Sequence, residues 1–229
     1  MISGRIFIAR HGETVFNAAG RMQGQRHVHT PLTRAGFAQA DAMGSALSGW
    51  LGTDQALSLW SSSAGRALQT IAVIAEHIGA DWHQVQRDDR LQEIDVGDWS
   101  GRNYADLTRE LGPILDPETH VFMQVAPGGE TYGDVAARLS EWIDDVATSP
   151  GNDMLVVMHG MSSRVLRGLL LGLAPDPRFG VPIASSLSQG SLVMIGGGVE
   201  KIIGQGAGNS GARSSGGGPG GSDVAGHSV

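Results

Sequence analysis

Arg10, His11 and Gly12 follow one another where a short apolar run, Ile6-Phe7-Ile8, gives out. A neutral imidazole nitrogen can attack phosphorus and carry a phosphoryl group, and a neighbouring guanidinium can hold the phosphate oxygens. A second His-Gly pair, His159-Gly160, stands the same way at the end of Met154–Met158, the most convincing buried strand of the chain. Arg66 comes shortly after a third apolar run, residues 57–60. Glu93 sits among Leu91 and Ile94, neighbours that can desolvate a carboxyl and keep it protonated, as a general acid requires. Singly, each has a plainer explanation: a surface turn, a strand-end histidine, a glutamate paired with an arginine. Together they are phosphate-compatible groups that could serve one site if they meet.

For that chemistry the groups must meet, and the pattern of elements allows it. Short apolar runs bounded by turn signals read as buried strands of a parallel sheet, and ligands bind outside the carboxyl ends of such strands. Gly12 would let the backbone approach a ligand closely. Ser63 is expected to cap a helix with apolar positions Ala67, Leu68, Ile71, Ala72, Ala75 and Ile78, stopped by Gly79. That puts Arg66 in a first turn, where free N–H groups favour an anion and a cation is unfavourable without one. Thr33 reads as the N-cap of an amphipathic helix reaching Trp50. A third strand is expected at 84–87, a short helix over Tyr104–Leu111, and a long helix opened by a Thr131/Asp134 capping pair. Another helix should follow Gly160, and residues 192–195 and 199–203 should close the domain as a hairpin. Glu130 is a rival to Glu93 as the acid, but its place before a helix suits electrostatics at the helix start.

Composition removes other classes. With 229 residues, 41% hydrophobic and 17% charged, the chain can bury a substantial core. A net charge of −7 argues against a nucleic-acid or anionic-membrane surface. No apolar run approaches the roughly 18 residues a membrane helix needs, and no leader pattern precedes Ile6, so a cytoplasmic protein is expected. There is no cysteine, hence no thiolate chemistry. His27 and His29, spaced His-x-His without carboxylate or cysteine partners nearby, read as a solvated loop rather than a metal site. Residues 204–229 are rich in Gly and Ser and poor in apolar side chains; they are expected to form a flexible tail on a 1–203 domain. Residues 102–126, with aromatic and apolar side chains in irregular sequence, are expected to serve as a substrate lid.

The segment RHGETVFN resembles the signature of the histidine phosphatase superfamily, also called phosphoglycerate-mutase-like. The partners follow in the family's order: R-M-Q-G-Q at 21–25, S-S-x-x-x-R-A-x-Q-T at 61–70, L-x-E-x-x-x-G-x-W-x-G at 91–101, and His159-Gly160. The third of these resembles the phosphatase branch, whose glutamate is the proton donor. The mutase branch tends to carry an E-R-H-Y-G type segment there, and this chain does not. The resemblance implies an α/β fold, a three-layer α/β/α sandwich with a mostly parallel central sheet. It implies His11 as nucleophile and Glu93 as acid, with Arg10, Arg66 and His159 completing the catalytic set. Asn17, Gln23, Gly24 and Gly160 would join Arg10, Arg66 and His159 around the phosphate. The expected activity is a phosphomonoesterase without metal or other cofactor, acting on a small phosphate monoester of sugar phosphate or phosphoglycerate type. The alternatives are a phosphoglycerate mutase and a non-catalytic phosphate-binding module.

Overall fold

The computed structural model of the chain describes residues 4–51, 57–147 and 153–206. One six-stranded sheet runs through it: β1 (Ile6–Arg10), β2 (Ser58–Ser62), β3 (Gln86–Asp88), β4 (Met154–Met158), β5 (Leu192–Gly196) and β6 (Val199–Gly204), in the order β3-β2-β4-β1-β5-β6. The pairs β1/β4, β4/β2 and β2/β3 are parallel. The terminal hairpin adds β5 antiparallel to β1 and β6 antiparallel to β5. The sheet is therefore mostly parallel, and β2, β4 and β1 are immediate neighbours. The three strands expected to end in phosphate-compatible groups thus open on one edge.

Alternation along the strands builds the three layers, because successive side chains point to opposite faces. Phe7, Ala9, Leu155, Val157, Leu192 and Met194 pack against α2 (Arg34–Leu51) and α3 (Gly65–His77) through Met43, Leu47, Ile71 and Ile74. Ile6, Ile8, Val156 and Val193 face α5 (Tyr132–Ala147) and α6 (Gly160–Leu171) through Val135, Leu139, Trp142 and Val165. Two shorter helices complete the described α-helices: α1 (Val15–Ala18) and α4 (Tyr104–Leu111). Among the described residues no helix is long and apolar enough to cross a membrane.

The N-caps expected at Thr33 and Thr131 form: Gly36 N–H donates to Thr33 Oγ1 (3.0 Å) and Asp134 N–H to Thr131 Oγ1 (3.1 Å). Ser63 does not cap α3. Ala64 holds the N-cap position with no side-chain bond, and Ser63 turns to Asp89 and Gln92 of the segment leading to Glu93. β2 runs two residues beyond the apolar signal because Ser61 and Ser62 are fully buried. β3 starts two residues later than expected, after a 3-10 turn (Trp82–Gln84) that Asp81 caps. Gly204 belongs to β6, and Gly206 N–H donates to Ser191 Oγ (3.1 Å), so ordered pairing reaches past the expected start of the tail. Residues 207–229, the body of that tail, lie outside the described residues.

Gly12 is corrected in kind. A Cβ there would fall 2.2 Å from the Gly36 carbonyl oxygen, and one on Gly36 would fall 2.1 Å from that of Glu13. The close approach that requires glycine is therefore to the start of α2, not to a ligand. The Gly12 N–H is taken by Thr70 Oγ1 (3.1 Å).

Candidate active site

His11 leaves the end of β1 with its N–H on Met158 O (3.0 Å) and its side chain only 4% exposed. Its Nδ1 lies 2.7 Å from the Gly12 carbonyl oxygen. A carbonyl oxygen can only accept, so Nδ1 carries the proton and Nε2 presents its lone pair. Burial, then the charges of Arg66 and Arg10, hold the ring's pKa well below the ordinary histidine range. At neutral pH the ring is uncharged and of fixed tautomer, the form a nucleophilic imidazole would need.

His159, at the end of β4 and fully buried, is 5.2 Å from His11 between ring centroids. Arg66 Nε donates to its Nδ1 (3.1 Å). The ring proton therefore lies on Nε2, which donates to Ser62 Oγ (2.7 Å). Burial first, then Arg66, keeps this ring neutral as well. Both nitrogens are engaged, so in this arrangement His159 orients Arg66 rather than offering charge of its own.

Arg66 projects from the first turn of α3, 1% exposed. Besides His159 it reaches the Gly24 carbonyl through Nη2 (3.3 Å), while its Nη1 is buried with no partner. Burial lowers its pKa to about 10, against the opposing effect of Glu93, so it stays charged at neutral pH. Arg10 donates to Leu187 O, and its Nε is likewise buried without a partner. The Arg10 guanidinium lies flat enough against Gly160 that a Cβ there would come 3.3 Å from Cζ. Gln23 accepts from Thr14 Oγ1 (2.8 Å) and leaves its Nε2 as a third orphaned buried donor. Buried polar groups are nearly always satisfied. Orphaned donors on the two guanidiniums whose charges act on His11, and on the Gln23 amide, suit an anion.

Asn17 enters through a capping box with Thr14, and its Oδ1 accepts from the Thr14 N–H (3.1 Å) and from Gln189 Nε2 (2.6 Å). That occupies the amide oxygen and leaves the NH2 group to donate. Gly24 contributes the carbonyl that Arg66 binds, and it must be glycine because a Cβ would meet Val96 N at 2.9 Å.

Glu93 closes the site from the far side. Its carboxylate accepts from the N–H groups of Met161 (3.0 Å) and Ser162 (2.9 Å) in the first turn of α6, and of Ile94 (3.0 Å). The apolar neighbours named from sequence do not surround it: Leu91 and Ile94 turn into the core. Glu130, the rival, is committed elsewhere. Its two oxygens hold Arg138 (2.9 and 3.0 Å), the Asp95 N–H (2.9 Å) and Gln25 (3.1 Å).

Sequence reasoning passed over Ser62, Gln189 and Tyr104. Tyr104 belongs here because the charges of Glu93 and Arg10 both act on its phenol, whose pKa burial pushes up to about 12. Ser62 stands in the S-S-x-x-x-R-A-x-Q-T segment without a role of its own there, no motif marks Gln189 or Tyr104, and only the fold brings the three in. His27 packs on Phe16 (5.0 Å between ring centroids). Among the described residues no three His, Cys, Asp or Glu side chains are grouped to hold a metal ion.

Residues 6–198 match the histidine phosphatase superfamily (branch 1), and the chain belongs to that family. The glucosyl-3-phosphoglycerate phosphatase of Mycolicibacterium vanbaalenii is 32% identical over 202 residues, 84% of either chain. The probable phosphoglycerate mutase GpmB of Erwinia tasmaniensis is 32% identical over 174 residues, 74% of this chain and 75% of its own. Among solved structures, a mycobacterial glucosyl-3-phosphoglycerate phosphatase complexed with VO3 superposes with a TM-score of 0.68 at 26% identity, covering 90% of this chain and 100% of that one.

Burying two neutral histidines has a cost that depends on pH. Both folded pKa values lie below the unfolded value near 6.5, so below that pH the unfolded chain binds protons the native one does not. Stability is full well above pH 6.5 and falls as pH drops through and below it, by roughly 1 kcal/mol per ring between pH 6.5 and 5.5 and roughly 2 for the pair. Urea unfolding at pH 6.5 and 5.5 measures this, in a window above the carboxylate titrations. His159→Gln should remove about half of the slope.

Proposed function

We propose that the chain is a phosphomonoesterase working through a phosphohistidine on His11, with no metal in the reaction. The observation that carries this reading is the uncharged, tautomerically fixed His11 beside orphaned donors of Arg10, Arg66 and Gln23. Nε2 of His11 attacks phosphorus while Glu93 gives a proton to the departing oxygen. The same carboxylate then takes a proton from the water that cleaves the phosphorus–nitrogen bond. Arg10 and Arg66, with Asn17, Gln23 and the backbone at Gly160, stabilise charge on the non-bridging oxygens. Gly24 and His159 act through Arg66, one by its carbonyl and the other by Nδ1.

The His159 role has its own test. Ser62→Ala removes the acceptor that fixes the His159 tautomer. Turnover should fall about tenfold, the size of one lost hydrogen bond in positioning. The 15N shifts of the His159 ring should move from a single Nε2–H form to a mixture. A merely structural role for Ser62 would lower Tm and leave those shifts in place.

The substrate class we infer is a small phosphorylated metabolite of the sugar phosphate or phosphoglycerate type, supported by relatives named for glucosyl-3-phosphoglycerate and phosphoglycerate. A mutase must keep its phosphoenzyme from water and return the intermediate, usually with a basic cap. In residues 102–126 both arginines are instead spent within the segment, Arg102 on Glu110 and Arg109 on Asp106 (2.8 Å). That segment is tied down: Arg164 Nη1 donates to Thr119 O (2.8 Å), Phe122 N–H to Tyr132 Oη (2.9 Å), and Arg178 pairs with Asp116 (2.8 Å). We take it as a wall shaping the substrate site rather than a freely swinging lid. A panel of phosphate monoesters assayed in EDTA, beside a mutase assay primed with bisphosphoglycerate, tests the reading. Phosphate release is expected. Phosphoglycerate interconversion without release would install the mutase, and loss of activity in EDTA restored by a divalent cation would overturn the metal-free route.

A further inference from the structure

Beside the phosphate centre lies a cavity of about 280 Å³ that shares none of Arg10, His11, Arg66, Glu93 or His159. Its walls include Ile94, Trp99, Phe122, Val125, Tyr132 and Phe179, and it is lined by Ile94, Asp95 and Val96 of the strip just after Glu93. Two ring pairs frame it, Trp99 with Phe122 (6.4 Å between centroids) and Tyr132 with Phe179 (4.7 Å). Val125 and Met123 at its mouth are 55% and 43% exposed.

Arg178 and Glu130, two of the charged side chains around it, are already paired, and Asp95 is held by a backbone N–H. Arg178 pairs with Asp116 and Asp176, Glu130 with Arg138, and Asp95 Oδ1 accepts from Gly97 N–H (2.9 Å). Thr131 Oγ1 donates to Asp134 (2.7 Å). An anionic guest would find no free cation here among the described residues and would lose its hydration. A neutral flat one would gain aromatic faces and edges. An apolar cavity of about 150 Å³ suffices for a benzene ring, so this one has room for two fused rings.

We propose that this cavity is a second small-molecule site, taking a neutral, planar one- or two-ring compound while the phosphate centre is independently occupied. The wall also links it to Glu93: Ile94 N–H donates to the carboxylate, and Tyr132 Oη contacts Met161 Sδ (3.6 Å), whose residue's N–H holds that same carboxylate. A guest therefore rests against the groups that fix the acid.

The probe is indole, titrated into the full chain labelled with 15N at its five tryptophans, with and without saturating vanadate. The Trp99 indole N–H signal, assigned by its loss in Trp99→Phe, should move with the same affinity in both conditions. Gly133→Trp, at an exposed glycine lining the cavity mouth, should abolish the shift by filling the space. Val125→Asp, also exposed, should weaken binding at least about tenfold by placing an unmatched charge against the guest. Both variants should keep vanadate binding, which shows them folded. Displacement of indole by vanadate would overturn the proposal. So would a titration that leaves Trp99 unmoved in the wild type, or binding that survives both variants.

Discussion

His11→Ala is expected to abolish turnover, by about 10⁴-fold or more, and with it all acid-labile, base-stable phosphate on the protein. The size follows from what the alanine removes. Nε2 of His11 is the proposed nucleophile, and the groups around it do not depend on it: Arg66 stays tied to His159 and Gly24, and Glu93 stays on the first turn of α6. The anion site should therefore still bind vanadate or phosphate while the covalent step disappears. Rapid quenching of enzyme with 32P-labelled monoester, followed by acid and base stability of the label, measures it. His159→Ala should behave differently. It frees Arg66 Nε and loosens the guanidinium, so the rate should fall while some labelling of His11 persists. A phosphohistidine found in His11→Ala would show that the nucleophile is another residue, and His159 would be the first candidate.

The parts of this site that were legible in sequence were those that fold rules place without tertiary detail. Arg10, His11 and His159 each end an apolar run, and the run predicts a buried strand. Arg66 was legible as a cation in a first turn, a position only an anion makes favourable. The neighbourhood of β1, β2 and β4 was needed to bring them together, and the parallel pairing supplies it. Less was legible where the signal is a serine. Ser61 and Ser62 extend β2 although nothing apolar marks them, and Ser62 then serves as acceptor for His159. Ser63, the better cap by residue type, is drawn instead to Asp89 and Gln92. Gly12 shows that a glycine beside a reactive histidine can answer a packing demand, here the backbone of Gly36, and not the ligand. Gln189 lies 172 positions from the Asn17 it holds, and no local pattern reports a contact of that span.

Glu93→Gln separates the acid from its rival by the leaving group. An alkoxide leaving from a sugar or glycerate ester needs a proton, and a general acid contributes roughly 10²–10⁴-fold there. A nitrophenolate leaves readily without one. The substitution keeps the shape of the side chain, so the carbonyl oxygen can still accept from the first turn of α6 while the transferable proton is lost. Phosphorylation of His11 by alkyl phosphates should therefore fall by that factor, and by p-nitrophenyl phosphate far less. Single-turnover rates are needed, because hydrolysis of the common phosphohistidine also uses Glu93 and would limit both substrates in the steady state. Glu130→Gln should act on both leaving groups alike, because Glu130 holds Arg138 and the Asp95 N–H and reaches the site only by positioning the strip that carries Glu93. Its cost should appear in Tm as well as in rate. A loss confined to alkyl phosphates in Glu130→Gln, with equal losses for both substrates in Glu93→Gln, would exchange the two roles.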